Sequence, residues 1–434
     1  MRSAAHSTPA PAPLENWDAP AANGCAFAGP DELLRLKGEY LVPCVYHFYR
    51  DPPQIVRGEG CYLFDSEGRR YLDCVAGVSV MNAGHCNPDI VEPAVAQIRT
   101  LQHTTSIYLT EPVLRLAERL AAVAPGGLRR SFFCASGSEA TEGAMLLACV
   151  YTGRGEIVAM TGGLHGRTRW AMTATGLPMW RADPSPLAGV HHAPFGDVAA
   201  LRALLRDRRG KVAAVIAEPV QGNGGIVEPP EDHYWPAVRE ACDEAGALLI
   251  FDEVQTGFGR TGRWFASEHW GVAPDVTCIS KALGNGFPIA AYMTTDAIAA
   301  AFTRPAASTH GGNPVAATAA LANLDYHARH DLAGNARARG AQIGECLKGL
   351  SARRPDACGC PRGRGLMLGL PLTEAGAPSP GRTDALLEAL RETGILAAKT
   401  GPDRNVLTLL PPLTLTETQA DGLIRALADC VRRL

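Results

Sequence analysis

The sequence of 434 residues predicts an α/β protein with a mostly parallel central sheet and helices on both of its faces. Two observations predict this class: helical stretches alternate with short apolar runs between about residues 88 and 305, and each run ends in polar residues. Near-continuous apolar runs are typical of parallel strands that are buried on both faces. The runs that we interpret as strands are 130–136, 156–160, 212–218, 247–253 and 276–279.

The order of segments predicts two domains. Residues 1–30, rich in Ala and Pro, are expected to form a mobile arm, and they lack the hydrophobic centre of a secretory signal. Residues 31–75 begin a smaller α+β domain, in which 55–73 alternate apolar and polar residues as in a β-hairpin or short meander. Residues 76–314 are expected to form the large domain, and residues 315–434 complete the small one.

The C-terminal part carries two further local signals. Residues 374–384, rich in Gly, Pro and Ser, are expected to form a loop. The last helix is expected to begin at a capping box made by Thr416 and Gln419.

Composition and charge exclude several classes of function. Forty-one basic and forty-four acidic side chains give a net charge of −3 without a long basic run, which excludes nucleic acid and anionic membranes as main partners. No apolar stretch approaches the roughly 20 residues of a membrane-spanning helix. Thirteen cysteines without a C-x-x-C pair predict reduced thiols in the cytoplasm, and neither a disulfide framework nor a metal site.

Ligands of parallel sheets bind at the carboxyl ends of the strands, so we expect chemistry at Ser136, Glu218, Asp252 and Lys281. The segment CASGSEATEGAML (134–146) leads from a strand end into a helix. Free backbone N–H groups at a helix start can bind an anion, although a plain helix cap is the alternative. The segment lacks the motifs of a P-loop and of a dinucleotide fold.

Asp252 and Lys281 are the strongest candidates for chemistry. Asp252 and Glu253 are adjacent in a strand, so their side chains point to opposite faces and only one can reach the site. Lys281 is either a loop lysine whose ammonium reaches water or an amine that forms a Schiff base. An anion site, a carboxylate and a lysine, each at a strand end, suit pyridoxal phosphate with its phosphate, pyridine nitrogen and aldehyde.

Seven short motifs, which occur in order from about residue 45 to the C-terminus, resemble those of the class III aminotransferases. They are GHCNP (84–88), SGSEA (136–140), HGRT (165–168), EPVQG (218–222), DEVQTGFGRTG (252–262), SKALGNGFP (280–288) and GGNP (311–314). Within the family, they resemble the subgroup of alanine–glyoxylate aminotransferase 2 and the ω-aminotransferases. The family consists of pyridoxal-phosphate-dependent enzymes of fold type I, so the resemblance implies that fold, that cofactor and transamination.

The resemblance also implies roles around the cofactor ring. Lys281 would form the Schiff base and move the proton, and Asp252 would keep the pyridine nitrogen protonated. Gln255 would contact the 3-oxygen of the ring. Glu218, in the family's EP motif, would lie nearby, with a structural carboxylate as the alternative reading.

The phosphate end is implied in the same way. Gly137 and Ser138 would hold the phosphate, together with Thr309 from the neighbouring subunit. This arrangement implies a homodimer with shared active sites.

Two departures from the family lie beside the cofactor. Leu164 replaces the aromatic residue that stacks on the ring in relatives, which leaves His165 as a ring that could contribute. His310 replaces an aromatic residue beside Thr309, either as a charge near the phosphate, as a contact to a polar substrate or as an ordinary polar substitution.

Two more departures concern the substrate. Relatives that act on α-amino acids often bind the α-carboxylate with an arginine in a VLR block and pair that arginine with a glutamate in QGEGG. Here Thr408 and Asn223 occupy those positions, which leaves a neutral pocket. Arg167 keeps a guanidinium suited to carboxylate or phosphate, with a surface arginine as the alternative. The predicted substrate-binding residues are Arg167, Val78, Thr408, Asn223 and His310.

The resemblance therefore implies an aminotransferase that moves an amino group, through a Lys281 Schiff base, between an amine or a non-α amino substrate and a keto acid or aldehyde. An ω- or β-amino acid, an amino sugar or a phosphorylated amine would fit. The alternative is a lyase that eliminates phosphate or another leaving group from an amine. Racemisation or epimerisation is a third reading, and a cofactor-binding scaffold without activity is a fourth.

Overall fold

The computed structural model describes residues 27–434. The arm expected over residues 1–30 lies outside the described residues apart from its last four, and the first helix already begins at Pro30.

The helices within residues 27–434 are α1 (Pro30–Tyr40), α2 (Ala76–Ser79), α3 (Pro88–Thr100), α4 (Glu111–Val123), α5 (Gly137–Thr152), α6 (Arg169–Ala174), α7 (Val198–Asp207), α8 (Tyr234–Ala245), α9 (Asp296–Ala299), α10 (Pro314–Arg329), α11 (Leu332–Arg353), α12 (Pro380–Glu392) and α13 (Glu417–Arg432). The strands are β1 (Ile55–Glu59), β2 (Tyr62–Asp65), β3 (Arg70–Asp73), β4 (Arg130–Cys134), β5 (Glu156–Met160), β6 (Val190–Ala193), β7 (Val212–Ala217), β8 (Leu248–Asp252), β9 (Val276–Ile279), β10 (Ala290–Thr294), β11 (Arg362–Arg364), β12 (Met367–Pro371), β13 (Thr373–Glu374), β14 (Ala377–Pro378), β15 (Ile395–Leu396), β16 (Ala398–Thr400) and β17 (Val406–Leu409).

The central sheet has seven strands in the order β4-β10-β9-β8-β7-β5-β6. Six of them are parallel, and β10 runs antiparallel to both of its neighbours. Alternate residues of β8 join different apolar clusters, with Leu249 and Phe251 on one face and Leu248 and Ile250 on the other. Because both faces of the sheet are covered, the predicted fold class is confirmed.

The N-terminal and C-terminal parts of the chain share a second apolar core. Strand β3 pairs in parallel with β15 in the sheet β1-β2-β3-β15, and β11-β12-β17-β16 form another four-stranded sheet. Tyr71 of β3 is buried in the same cluster as Leu386 of α12 and Leu423 of α13. Helix α10 contributes residues both to this cluster and to one beneath the central sheet. The division of the chain at residues 75/76 and 314/315 stays a prediction.

A buried arginine joins the loop after β8 to the C-terminal part of the chain and to the segment that follows α2. Arg260, in the motif DEVQTGFGRTG, donates hydrogen bonds to the carbonyl oxygens of Leu366 (2.8 Å) and Pro411 (2.6 Å). It also donates to the side-chain oxygen of Asn82. Its side chain is fully buried, so these acceptors replace the water that the guanidinium loses.

Local sequence signals explain how the last two helices begin. Thr416 Oγ1 accepts from the backbone N–H of Gln419 at 3.3 Å, and Gln419 Oε1 accepts from the backbone N–H of Thr416 at 2.8 Å, so the predicted capping box is present. The loop predicted over 374–384 is wrong. Strands β13 and β14 form a hairpin there, and Ser379 caps helix α12, which starts at Pro380. Ser379 is the N-cap and Pro380 lies in the first turn of the helix. Because the same two residue types are also common in turns, the sequence alone suggested a loop.

No helix within residues 27–434 has the length and apolar character needed to cross a bilayer. Over the same part of the chain, no group of three or more His, Cys, Asp or Glu side chains is arranged to hold a metal ion.

Candidate active site

Most of the predicted site residues meet in one cavity where the central strands end. Asp252 is the last residue of β8, Glu218 follows β7, and Lys281 lies two residues beyond β9. This inner cavity has a volume of about 220 Å³. The predicted residues that line it are Gly137, Ser138, Leu164, His165, Arg167, Glu218, Asn223, Asp252, Gln255 and Lys281.

One wall of the inner cavity is the start of helix α5. Ser136 caps this helix, since its Oγ accepts from the backbone N–H of Glu139 at 3.3 Å. Ser138 Oγ accepts from the backbone N–H of Arg167 at 2.9 Å. The backbone is too close here for a side chain on Gly166, because a Cβ would lie 2.6 Å from Ser138 Oγ. The backbone of the neighbouring loop thus packs directly against the first turn of α5. The free N–H groups and the helix dipole at this turn are suited to bind an anion.

The two adjacent carboxylates face opposite ways, as the strand geometry requires. Asp252 points into the cavity, and its Oδ2 lies 2.8 Å from Nδ1 of the buried His165. Glu253 points away and accepts from the backbone N–H groups of Ala266 (3.0 Å) and Ser267 (2.8 Å). Asp252 is therefore the carboxylate available to a ligand, and the histidine ring fixes its orientation.

Glu218 is a second buried carboxyl group in the same cavity. It accepts from the backbone N–H groups of Leu164 at 2.8 Å and Gly222 at 3.0 Å. Burial and the nearby charge of Asp252 raise its pKa to about 7. Glu218 can therefore carry a proton near neutral pH, which reduces the negative charge beside Asp252.

Lys281 is held in an uncommon backbone conformation at the edge of the cavity. It begins a short 3₁₀ turn, Lys281–Leu283, and its φ is +30°, a value that favours glycine. Burial lowers the pKa of its amine, and the carboxylates of Asp252 and Glu218 partly oppose this effect. A strained, half-buried lysine in a cavity wall is typical of a functional amine rather than of a solvated loop residue.

A second, outer cavity of about 240 Å³ adjoins the first and shares Leu164, Arg167, Asn223 and Gln255 with it. Val78 lies in its wall. Val78 belongs to the turn α2, in which φ is positive at all four residues, between 49° and 64°. This wall is therefore strained, since positive φ is unfavourable for residues with a Cβ.

Four predicted site residues line neither cavity within residues 27–434: Ser136, which caps helix α5, and Thr309, His310 and Thr408. Thr309 and His310 are exposed, and the ring of His310 lies 5.2 Å from the ring of His103. Thr408 is fully buried on β17, and its Oγ1 lies 2.7 Å from Oγ1 of Thr400. Thr400, one strand away, lines the outer cavity in its place.

Sequence reasoning missed several residues of the outer cavity because they belong to no motif. These residues come from the segment before β1, from the turn after α6, from the end of β16 and from the turn that follows it. They are Tyr46, Phe48, Trp180, Thr400 and Arg404. No spacing or composition signal distinguishes them from ordinary loop residues.

The inner cavity fits pyridoxal phosphate by three tests. The first turn of α5, which forms one wall, is suited to bind the phosphate. Asp252 supplies the anion that the ring nitrogen requires, and Lys281 supplies the amine that the aldehyde requires. Two buried polar atoms that line it, Nε2 of His165 and Oε1 of Gln255, have no hydrogen-bond partner within residues 27–434. Gly222 leaves space for that glutamine, because a Cβ there would lie 1.9 Å from its Oε1. Fold and site together define a pyridoxal-phosphate-dependent enzyme.

Comparison with known proteins gives the family. The family model described as "Aminotransferase class-III" matches residues 49–431, so the chain belongs to the class III aminotransferases. As a member, it is a pyridoxal-phosphate-dependent aminotransferase. The resemblance stated from the sequence motifs is thereby confirmed.

Three similar proteins illustrate the range of the family. Alanine–glyoxylate aminotransferase 2 homolog 2, mitochondrial, from Arabidopsis thaliana is 40% identical over 420 residues, covering 92% of this chain and 88% of its own. Acetylornithine aminotransferase from Mycolicibacterium smegmatis is 42% identical over 382 residues, covering 87% and 94%. The structure of a phospholyase from Arthrobacter in complex with phosphoethanolamine superposes with a TM-score of 0.86 at 32% identity, covering 93% and 100%.

Proposed function

We propose that this aminotransferase takes its amino group from an amine or a non-α amino substrate and passes it to a keto acid or aldehyde. The outer cavity supports this proposal most directly. Among residues 27–434, no carboxylate and no arginine of β17 line this cavity. Thr408 is buried behind Thr400, and Asn223 stands where relatives of the sequence family have glutamate. The arginine–glutamate pair with which relatives bind and release an α-carboxylate is therefore missing at these two positions.

The proposed roles follow from the contacts of each residue. When bound, pyridoxal phosphate supplies a carbonyl group that condenses with amines and a ring that accepts the electron pair of a broken Cα–H bond. The Lys281 amine takes the proton from the substrate Cα, which is favoured by its lowered pKa. Asp252, oriented by His165, keeps a proton on the ring nitrogen. Gly137 and Ser138 bind the phosphate, and Gln255 binds the ring oxygen.

Two further parts of the proposal concern the assembly and the compartment. Thr309 is exposed on its own chain, which is consistent with its completing the site of a second subunit in a homodimer. All twelve cysteines within residues 27–434 are free, which supports a reducing compartment such as the cytoplasm.

The roles can be tested with the purified holoenzyme and a panel of amines, without an acceptor. Transamination predicts that the cofactor spectrum changes in step with formation of a carbonyl product. Lys281→Ala should abolish turnover, whereas Lys348→Ala, at an exposed lysine paired with Glu345, should leave it unchanged. Borohydride should fix the cofactor to Lys281, as peptide mass would reveal. Turnover by Lys281→Ala would refute the mechanism.

A lyase is the second candidate, because the similar phospholyase structure holds phosphoethanolamine and Arg167 lines both cavities. Elimination predicts that phosphate and ammonia are released while the cofactor spectrum returns to its starting form. Measuring both products from phosphoethanolamine separates the two functions directly.

A further inference from the structure

We propose that Arg404 selects the substrate, by binding an anionic group at the end remote from the reacting amine. The proposal rests on the proposed function, because it names the substrate class of the same site. The anion is a carboxylate or a phosphate, the two groups that a guanidinium binds with paired hydrogen bonds.

The position of Arg404 supports this role. Its side chain lines the outer cavity, which adjoins the cavity of Lys281. The guanidinium carbon lies 5.0 Å from the ring centre of Tyr46 and 5.8 Å from that of Phe48. Stacking on aromatic rings holds a guanidinium in place while its N–H groups stay free to bind an anion.

The backbone also holds Arg404 at the cavity. The turn 401–404 closes with a hydrogen bond from the Arg404 N–H to the carbonyl oxygen of Gly401 at 3.0 Å. The Gly401 N–H in turn donates to the carbonyl oxygen of Asn223 at 3.0 Å. Arg404 itself has a φ of +54°, an unfavourable value for a residue with a Cβ. A strained residue that is fixed by its surroundings in a cavity wall is typical of a functional position.

The charges of the outer cavity are unbalanced. Lys399 lines it but pairs with Asp384. Neither Arg404 nor Arg167 has an acidic partner within residues 27–434, and the part of the chain described there contributes no Asp or Glu to the lining. Arg167 is exposed and Arg404 is half-buried, so an anion can reach both guanidinium groups, and their positive charge favours its binding.

Arg404 also explains how the pocket can bind an anion without an arginine on β17. Thr408 is buried and hydrogen-bonded to Thr400, so its strand presents no charge to the cavity. Arg404 precedes this strand and reaches the cavity from the turn. The anion would therefore be bound at a different place from the α-carboxylate arginine that the sequence motif lacks.

The kinetic test compares matched pairs of amines: 4-aminobutyrate with butylamine, and phosphoethanolamine with ethanolamine. Arg404→Gln should raise KM for the anionic member of the preferred pair roughly 10- to 100-fold, as expected for a lost hydrogen bond to a charged group. KM for the neutral member should change less than about threefold. The control is Arg70→Gln, which removes a similar stacking contact with Tyr62 (4.5 Å) outside the cavities and should alter neither value.

A binding test avoids the reaction altogether. Calorimetry with the holoenzyme and amine-free probes, butanoate and ethyl phosphate, should give a dissociation constant that rises by the same factor in Arg404→Gln and stays unchanged in Arg70→Gln. If Arg404→Gln is insoluble, Arg404→Lys decides, because a lysine keeps the charge and stem but loses the paired hydrogen bonds. Its KM should rise more for the anionic member than for the neutral one.

Each outcome bears on the proposal. An effect on one anion alone supports it and identifies the anion. Equal effects on both members of each pair, unchanged binding of both probes, or a wild-type preference for the neutral amines would overturn it. Absence of turnover with every amine would count against the proposed function instead, and probe binding would still decide the role of Arg404.

Discussion

Replacing Glu218 by Gln should change how the stability of the cofactor-free protein depends on pH. The pKa of this carboxyl group rises from 4.5 to about 7 in the folded protein, mainly through burial and secondly through the charge of Asp252. Each pKa unit corresponds to about 1.4 kcal/mol, so an ionised Glu218 costs the folded state about 3 kcal/mol well above neutral pH.

The direction of the effect follows from the raised pKa. The folded protein holds the Glu218 proton more tightly than the unfolded chain does, so stability falls as the pH rises from 4.5 through about 7. Between about pH 5.5 and about pH 8.5 the loss should be about 2 kcal/mol. Glu218→Gln has no proton to lose, and its own cost is independent of pH. That cost is about 1–3 kcal/mol, because one of the two backbone N–H donors loses its acceptor.

Two measurements test this reasoning. Urea unfolding at fixed protein concentration gives the difference in unfolding free energy between wild type and Glu218→Gln, which should fall by about 2 kcal/mol over that pH range. Infrared difference spectra should show the carbonyl band of a protonated carboxyl group disappearing near pH 7. Glu67→Gln, at an exposed position, is the control. A free-energy difference that is flat with pH, or a band already lost below about pH 5, would refute the raised pKa.

Three further changes have expected outcomes. Gly222→Ala should weaken cofactor binding by about 1–3 kcal/mol in an absorbance titration, because the new Cβ would lie 1.9 Å from the side-chain oxygen of Gln255. Gly155→Ala, with open space around it, should leave binding unchanged, and equal affinities of the two variants would contradict the steric argument. Arg260→Met should lower the unfolding free energy by about 2–5 kcal/mol, since three buried acceptors lose their donor, while the exposed Arg263→Met changes it little. Thr416→Ala should cost about 1 kcal/mol in urea unfolding through the lost helix cap, and an unchanged midpoint would show that the cap contributes nothing.

The strand-end part of the site was predictable because its geometry is a property of parallel sheets. Glu218, Asp252 and Lys281 each follow an apolar run, and parallel strands bring their carboxyl ends to one edge. The strand pattern alone did not decide whether Asp252 or Glu253 faces the site, and only the family motif indicated Asp252. Its contact with His165 joins positions 87 residues apart, and no local pattern encodes such a pairing.

The small domain and the outer cavity were largely hidden in the sequence. Strands β11 to β17 have two to five residues each, too few for a periodic pattern to be recognised. Arg404 lies in a turn, and its side chain is held at the cavity by the rings of Tyr46 and Phe48, which come from the N-terminal part of the chain. Such contacts depend on tertiary packing, so of the two guanidinium groups that line the outer cavity the sequence predicted Arg167 and missed Arg404.

The parallel pairing of β3 with β15 has a consequence for synthesis on the ribosome. Leu72 finds its strand partner Ile395 only after another 323 residues have been made, which at typical elongation rates takes roughly 15 to 65 s. During that time one edge of the first small sheet is open, with groups such as Cys61 and Tyr71 lacking the core that finally covers them. The nascent chain therefore keeps an unpaired strand edge and part of its later core exposed to water for most of its synthesis, and a chain that stops just short of residue 395 can never close this sheet.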